Sequence, residues 1–431
     1  MGTLNGISRS FLLFVVALMC AGMLSSCIMD AGDCPDDYPQ EFDSPTLALH
    51  ISTLSTRAGE QPSVIERIRS LRVVVLGKES IEYNRLLTAG NSGAAGFEYN
   101  VILPVAAGKK NVYLIANEES VTGINGTAST LSQLLDSYGV ESGAGPNLAA
   151  NPDPAAFEAA LRGVYFAPVC TPEADGSVYL PYATCYEELE VSEREVREVN
   201  LYLVPVAAKF EFDFTNYRKN PVDVNTVSVS ALDSENYLLA RPAGTETYKD
   251  FGSETGLYWV DWLARVAEAS HETTDADSNQ SFNEIYGWIS DYDIPESSRQ
   301  NAAQLVSAED NISIPAASDK DTPGKRTLGP FYRPESRYDE KVYEYPAEED
   351  GQAAVRVTEQ TYTLKLSLSD SSTEKGIVYE ERIANLKALF RNTHVIVHIG
   401  MREGDVEIYA EIASWTRKNA NGWLVEGPAP N

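Results

Sequence analysis

Phe210-Glu211-Phe212-Asp213-Phe214 decides the fold. Three aromatic side chains alternate with two carboxylates, and a period of two puts the rings on one face of a strand and the charges on the other. One face is then core and the other water, as in a half-solvated antiparallel sheet. The stretch belongs to a strand-rich region, 199–214; residues 216–220 turn, and 222–230 alternate again. Strands at such even spacing with polar turns predict a β-sandwich.

The same pattern extends outward in both directions. Downstream lie Tyr362-Thr363-Leu364-Lys365-Leu366-Ser367-Leu368, then 393–399, then Val406, Ile408, Ala410 and Ile412 alternating with Glu407, Tyr409 and Glu411. Upstream, Thr46-Leu47-Ala48-Leu49-His50-Ile51 alternates like a half-buried strand. Residues 68–76 place Leu71, Val73 and Val75 on one face, and 97–103 and 111–116 give two more strands with Ala107-Gly108-Lys109-Lys110 as the turn between them. Two helices interrupt the strands. Leu131, Leu134, Leu135 and Tyr138 have helical spacing, with Gly139 as terminator. Asp153 as N-cap and Pro154 at the first helical position start the other, which carries Phe157, Ala160 and Leu161 on one face and ends at Gly163. Both read as short crossover elements covering a sheet edge or end. Over about 242–329 the strand pattern gives way to Ser, Asp, Asn and Pro, with one candidate amphipathic helix bearing Trp259 and Trp262. That stretch reads as a long insertion, and loops of such length are often functional.

The N-terminal region carries a different message. An almost unbroken apolar run from Phe11 to Leu24 is followed by Ser25-Ser26-Cys27. A transmembrane helix needs about 20 apolar residues, so the run is short for a span and suits a secretory signal of residues 1–26. Small residues before a cysteine at its end form a bacterial lipobox, which makes Cys27 the expected lipid attachment site. Acylation through two or more chains anchors stably, each buried CH₂ contributing about 0.8 kcal/mol. Asp30, Asp33, Asp36, Asp37, Glu41 and Asp43 follow, with no Lys or Arg before Arg57, and such a segment reads as a solvated acidic tether. Thr56-Arg57-Ala58-Gly59 then offers a trypsin-like protease a bond to cut, between Arg57 and Ala58, just beyond the first strand.

The formal charge of −29 leaves no basic stripe for phosphates and argues against nucleic acid or an anionic membrane surface as partner. Cys170 and Cys185 bracket an expected hairpin turning at Ala174-Asp175-Gly176-Ser177, and they read either as a disulfide or as two buried thiols. Closing that loop would contribute about 3 kcal/mol. His394 and His398 are spaced i, i+4 within a strand pattern, where they lie about 13 Å apart and cannot share a metal ion. Asp275, Asp277 and Asn279 imitate the start of a calcium loop, but Gln280 and Tyr286 stand where Gly and Glu are required. The chain has no nucleophile elbow and no phosphate-binding glycine loop, and no cofactor or enzymatic activity is expected of it.

Several segments together resemble the fimbrillins that build protease-assembled (type V) pili of gram-negative anaerobes. They are the lipobox at Cys27, the first strand 47–54 with Thr56-Arg57-Ala58-Gly59, Val112-Tyr113-Leu114-Ile115-Ala116-Asn117-Glu118, Leu203-Val204-Pro205-Val206-Ala207-Ala208-Lys209-Phe210, Phe331-Tyr332-Arg333-Pro334-Glu335, Arg391-Asn392-Thr393-His394 and Ser414-Trp415. The resemblance implies a mainly β protein of two transthyretin-like sandwich domains, 58–205 and 206–431, preceded by the tether and removable first strand, 27–57. It also implies a lipoprotein precursor at the outer membrane that an Arg-specific protease cuts after Arg57. Loss of the first strand would open an apolar groove, which the C-terminal extension of another subunit fills head to tail, with donor residues expected between Ile408 and Val425. The product would be an adhesive surface fibre. Two other readings stand beside this one: an uncleaved pilus anchor, and a non-polymerising surface lipoprotein that binds a glycan or host ligand.

Overall fold

The computed structural model describes residues 44–53, 55–56, 65–93, 97–138, 153–168, 172–230, 232–240, 302–319, 321–336, 341–344, 356–359, 362–370, 373–383, 386, 389–414 and 416–417. In chain order the first strands are β1 (Thr46–Thr53), β2 (Ser55–Thr56), β3 (Ile65–Leu76), β4 (Ile81–Gly93), β5 (Glu98–Pro104) and β6 (Gly108–Ala116). Helices α1 (Leu131–Asp136) and α2 (Pro154–Arg162) follow, then β7 (Tyr165–Phe166), β8 (Ser177–Val178), β9 (Tyr182–Val191) and β10 (Val196–Leu203). The second half contains β11 (Ala208–Asn216), β12 (Val222–Ser230), β13 (Asn236–Tyr237), β14 (Ala302–Val306), β15 (Ile312–Ile314), β16 (Gly324–Arg333), β17 (Lys341–Glu344) and β18 (Arg356–Glu359). It closes with β19 (Thr363–Asp370), β20 (Thr373–Arg382), β21 (Thr393–Arg402), β22 (Asp405–Ser414) and β23 (Thr416–Arg417). The expected class, mainly β with short helices, is the one found.

In the first half, a sheet ordered β4-β3-β6-β9, with β8 added to β3, packs on a three-stranded sheet ordered β10-β1-β5. Leu47, Leu49 and Ile51 of β1, Leu103 of β5 and Leu201 and Leu203 of β10 share one buried core with Leu71, Val73 and Val75 of β3 and Val112 and Leu114 of β6. The intervening residues Val74 and Leu76 of β3, with Tyr113 and Ile115 of β6, face the other way into a second core with Leu131, Leu135, Phe157 and Leu161 of the helices. A strand buried on both faces reads as a continuous apolar run, and Val73-Val74-Val75-Leu76 is one. The helices therefore cover a sheet face rather than the edge or end expected of them. Their starts are as anticipated. Asp153 Oδ1 accepts from the Ala155 amide at 2.9 Å. Thr130 and Gln133 cap α1 reciprocally, the Thr130 amide donating to Gln133 Oε1 at 3.1 Å and the Gln133 amide to Thr130 Oγ1 at 3.2 Å.

In the second half, a sheet ordered β16-β11-β21-β22 faces one ordered β14-β12-β19-β20, with β15 also on β12. Phe210, Phe212 and Phe214 are buried with Val395, Val397 and Ile399 of β21, Val222, Val224, Val227 and Val229 of β12, and Leu364, Leu366 and Leu368 of β19. The alternation that opened the sequence reading thus places the aromatic face where it was expected.

Three expectations need correction. The predicted insertion, about 242–329, is shorter: β14, β15 and much of β16 lie within it and are hydrogen-bonded to β12 and β11. Short strands set among Ser, Asp, Asn and Pro lack the long alternation that reveals a strand in sequence. Residues 241–301, with Trp259, Trp262 and the Asp275 segment, lie outside the described residues. Of the expected 107–110 turn, Gly108, Lys109 and Lys110 belong to β6, where they pair with Val191, Glu190 and Leu189 of β9. The expected hairpin between Cys170 and Cys185 is not a hairpin. Its turn exists, with Gly176 at a left-handed φ of 78° and the Gly176 amide bonded to Glu173 O at 2.9 Å, but the strand it feeds, β8, pairs in parallel with β3.

Candidate functional site

β1 is the middle strand of its sheet. It runs parallel to β10, from Thr46 opposite Val196 to Thr53 opposite Leu203, and antiparallel to β5, from Thr46 opposite Pro104 to Ser52 opposite Glu98. No direct pairing of β5 with β10 exists among the described residues, so this sheet is held together through β1. Leu47, Leu49 and Ile51 are at most 1% exposed. Burying each contributes about 1.5–3 kcal/mol, in addition to the two ladders. On the opposite face His50 Nδ1 is 2.8 Å from Asn100 Oδ1, a side-chain bond across to β5. The ends are fixed by backbone bonds from the Thr46 amide to Glu195 O at 2.9 Å and from the Thr53 amide to Phe97 O at 3.1 Å. The predicted removable strand, 47–54, is thus matched in register by β1, one residue earlier at each end.

Around this strand the quoted sequence motifs acquire physical roles. Asn117, in the left-handed region at φ 54°, donates from Nδ2 to Arg67 O at 2.8 Å and Leu180 O at 2.7 Å and accepts from the Arg69 amide at 3.0 Å. It pins the exit of β6 to the start of β3. Glu118 beside it is fully buried and takes a forked bond from Arg72, at 2.6 and 2.8 Å. Lys209 reaches toward Glu66 at the head of β3, Nζ to Oε1 3.7 Å, and Tyr332 donates its hydroxyl to the same Glu66 oxygen at 2.9 Å. These contacts tie β3 to β11 and β16.

Two motifs far apart in sequence meet as a buried ion pair. Glu335 accepts from the Arg391 amide at 2.9 Å, from its Nε at 2.8 Å and from its Nη2 at 2.7 Å. The remaining guanidinium donors go to Leu238 O and Tyr237 O at 2.8 and 2.7 Å. The same loop sends the Asn392 amide to Ala207 O at 2.9 Å. The two residues stand 56 positions apart in sequence, and nothing local to either motif marks its partner.

The residues singled out for chemistry are placed as follows. Cys27, Arg57, Ala58 and Cys170 lie outside the described residues. Cys185 sits on β9 opposite Tyr113, its Sγ 3.9 Å from Glu187 Oε1, and burial pushes its thiol up, with the Glu187 charge adding to the effect. His394 and His398 are on β21, each facing carboxylates: His394 Nε2 lies 3.1 Å from Glu211, and His398 lies 3.6 Å from Asp213 and 3.8 Å from Glu411. They do not converge on one point. In the expected donor region, Asp405–Ser414 is β22, paired along its length with β21 as the outer strand of its sheet, with Val406, Ile408 and Ala410 packed on the second core. Residues 418–431 lie outside the described residues. Among the described residues, no helix is long and apolar enough to cross a membrane.

No family model matches the chain, and no curated protein sequence matches it. Among solved structures it is similar to the tip fimbrial protein Mfa3 of Porphyromonas gingivalis, at 11% identity and TM-score 0.42, covering 86% of this chain and 100% of that one. It is also similar to a fimbrilin of the same organism, at 9% identity and TM-score 0.39, covering 87% and 98%. A fimbrial assembly protein of Parabacteroides distasonis is similar at 12% identity and TM-score 0.35, covering 85% and 95%.

Proposed function

We propose that this chain is a pilus subunit made as a lipoprotein precursor, anchored through Cys27, cut between Arg57 and Ala58, and assembled by strand addition into an adhesive surface fibre. One observation carries the reading. The strand just upstream of Arg57 is the central strand of a sheet, bonded on both sides and buried on its inner face. A cut after Arg57 takes away both the lipid anchor and β1. The remaining β5 and β10 then present two unpaired edges over an apolar trough that Leu47, Leu49 and Ile51 had filled. Such an edge pairs with whatever extended segment is offered. A strand from a second subunit supplies main-chain bonds to both edges and side chains to the emptied positions. A head-to-tail joint of this kind does not close on itself, so it propagates as a fibre.

The partners on this reading are other pilus subunits, the Arg-specific protease and, before the cut, the lipid of the outer membrane. The test is the N-terminus of the protein recovered from sheared fibres. Mass spectrometry should find Ala58 first, and an acylated Cys27 in the fibre would reject a cleaved subunit. The Arg57→Ala variant should accumulate as lipidated monomer, and fibres built from it would count against the mechanism.

A further inference from the structure

A cleft of about 560 Å³ opens on the first sandwich between the end of β3, the start of β6, α2 and β9. That volume lies within the range of small-molecule sites. A bulge shapes one wall. Lys110 pairs with Leu189 and Val112 with Tyr186, so Asn111 alone stands opposite both Glu187 and Glu188. Glu188 sits in the left-handed region at φ 57°, and its amide donates to Asn111 Oδ1 at 3.0 Å. An unbroken strand would send two consecutive side chains to opposite faces. Here both carboxylates line the same cleft. Bulges re-aim side chains in this way, and strained backbone gathers at binding sites.

Most charges of the lining are matched. Arg162 bonds Glu158 at 3.0 Å and also Glu187. Lys109 bonds Glu188 at 3.1 Å, and buried Lys110 is held by Glu82 at 2.7 Å. Two groups are left over. Lys78 is exposed and forms no ion pair among the described residues. Glu158 gathers its bonds on one oxygen: Oε1 accepts from the Tyr113 hydroxyl at 2.8 Å and from Arg162 Nε and Nη2 at 3.2 and 3.0 Å. Its Oε2 takes none among the described residues. Tyr113 is fully buried, so this carboxylate is tied to the core and held in place. Of the described lining residues only Leu76 and Ala107 carry apolar side chains, so an apolar ligand finds little to bury against.

A spare ammonium and a spare carboxylate oxygen in one cleft call for a ligand that carries an anionic group and hydroxyl donors together. We propose that the cleft binds a carboxylate-bearing sugar. Lys78 takes the sugar's carboxylate, Glu158 Oε2 accepts from a hydroxyl, and Glu187 and Glu188 accept from others. A bare inorganic anion would satisfy Lys78 but meet the three glutamates with no hydroxyl to offer them, and a neutral sugar would leave Lys78 unused. The formal charge of −29 disfavours anions over the surface at large, yet in this lining four Lys and Arg side chains stand against three carboxylates. The inference deepens the adhesive part of the proposed function and rests on it, while needing nothing of cleavage or strand exchange.

The test titrates the full chain by calorimetry with the methyl glycosides of N-acetylneuraminic acid and glucuronic acid, each beside its uncharged methyl ester. At least one acid should bind saturably and about tenfold more tightly than its ester. Lys78→Met, at an exposed side chain, should erase that difference without moving the denaturation midpoint, and Lys365→Met, exposed on β19, should leave it intact. Glu158→Gln should weaken acid and ester alike, because an acceptor becomes an amide donor. No saturable binding of either acid, or a preference for the acid that survives Lys78→Met, would overturn the proposal. Adhesion of fibres to a surface bearing the bound sugar separates this inference from the adhesive reading. Equal adhesion with and without Lys78→Met would overturn the cleft and keep the adhesive reading. A cleft that binds the acid on fibres that adhere to no such surface would uphold the cleft and reject the adhesive reading.

Discussion

β1 and β22 both alternate in sequence between an inner and an outer face, yet they are built into their sandwiches in opposite ways. β1 is paired on both sides, and its inner residues are almost completely buried. β22 is paired with β21 as the outer strand of its sheet; its inner residues Val406, Ile408 and Ala410 are half-buried, and Tyr409 on the other face is 65% exposed and stacked on His398. Loss of β22 would leave β16, β11 and β21 joined to one another. Loss of β1 would leave β5 and β10 with nothing between them. The position that must be filled for its sheet to persist lies in the first sandwich, and this makes β1 a plausible object of exchange on physical grounds alone.

The sharpest way to break the comparison is a buried charge in each strand. Leu49→Asp should cost about 4 kcal/mol or more, because the carboxylate enters a closed apolar core. Ile408→Asp should cost about 1–2 kcal/mol, since β22 can turn the charge toward water. Urea denaturation followed by amide exchange in β5, β10 and β21 separates the two, and equal costs would remove the distinction. Next in size is Glu335→Ala, expected to cost about 3–5 kcal/mol by leaving the Arg391 guanidinium unpaired in the interior. That loss should exceed the cost of Ile408→Asp, placing more of the second sandwich's stability in its clamp than in its outer strand. Ile51→Val should cost about 1 kcal/mol and loosen the β5 and β10 amides selectively.

The smallest expected effect concerns pH at the head of β3. Burial holds the Glu66 carboxyl above its usual range, with Glu211 raising it further and Lys209, the Tyr332 hydroxyl and His394 pulling it down. An acid whose pKa is raised by folding holds its proton more tightly in the native state. Its contribution is present below the ordinary glutamate range and is lost as pH rises through the raised value. The stability of the parent relative to Glu66→Gln should therefore fall as pH is raised from about 4 to about 8, and a flat difference in denaturation midpoints would reject the assignment.

Much of this architecture was legible in the sequence because period-two alternation is strong where one face meets water. Phe210-Glu211-Phe212-Asp213-Phe214 and the 46–51 segment landed on β11 and β1 for that reason. β3 was legible as a strand through Leu71, Val73 and Val75, but its second buried face, where Val74 and Leu76 pack with the helices, was not read. β14 and β15 were missed because five-residue and three-residue strands carry too little pattern to rise above their polar surroundings. Within the candidate site, β1 could be read locally from its own alternation. The central position of β1 could not, since parallel pairing with β10 joins residues about 150 positions apart. The Glu335–Arg391 clamp was hidden for the same reason: it is a long-range partnership, and neither residue type announces its mate.

Hydrogen exchange on the precursor before and after cleavage at Arg57 tests the removable-strand account most directly. The account predicts that release of residues up to Arg57 leaves the second sandwich protected and strips protection from β5 and β10. Adding a peptide of sequence Thr46-Leu47-Ala48-Leu49-His50-Ile51-Ser52-Thr53 should restore that protection. Unchanged protection of β5 and β10 after β1 has left would contradict it.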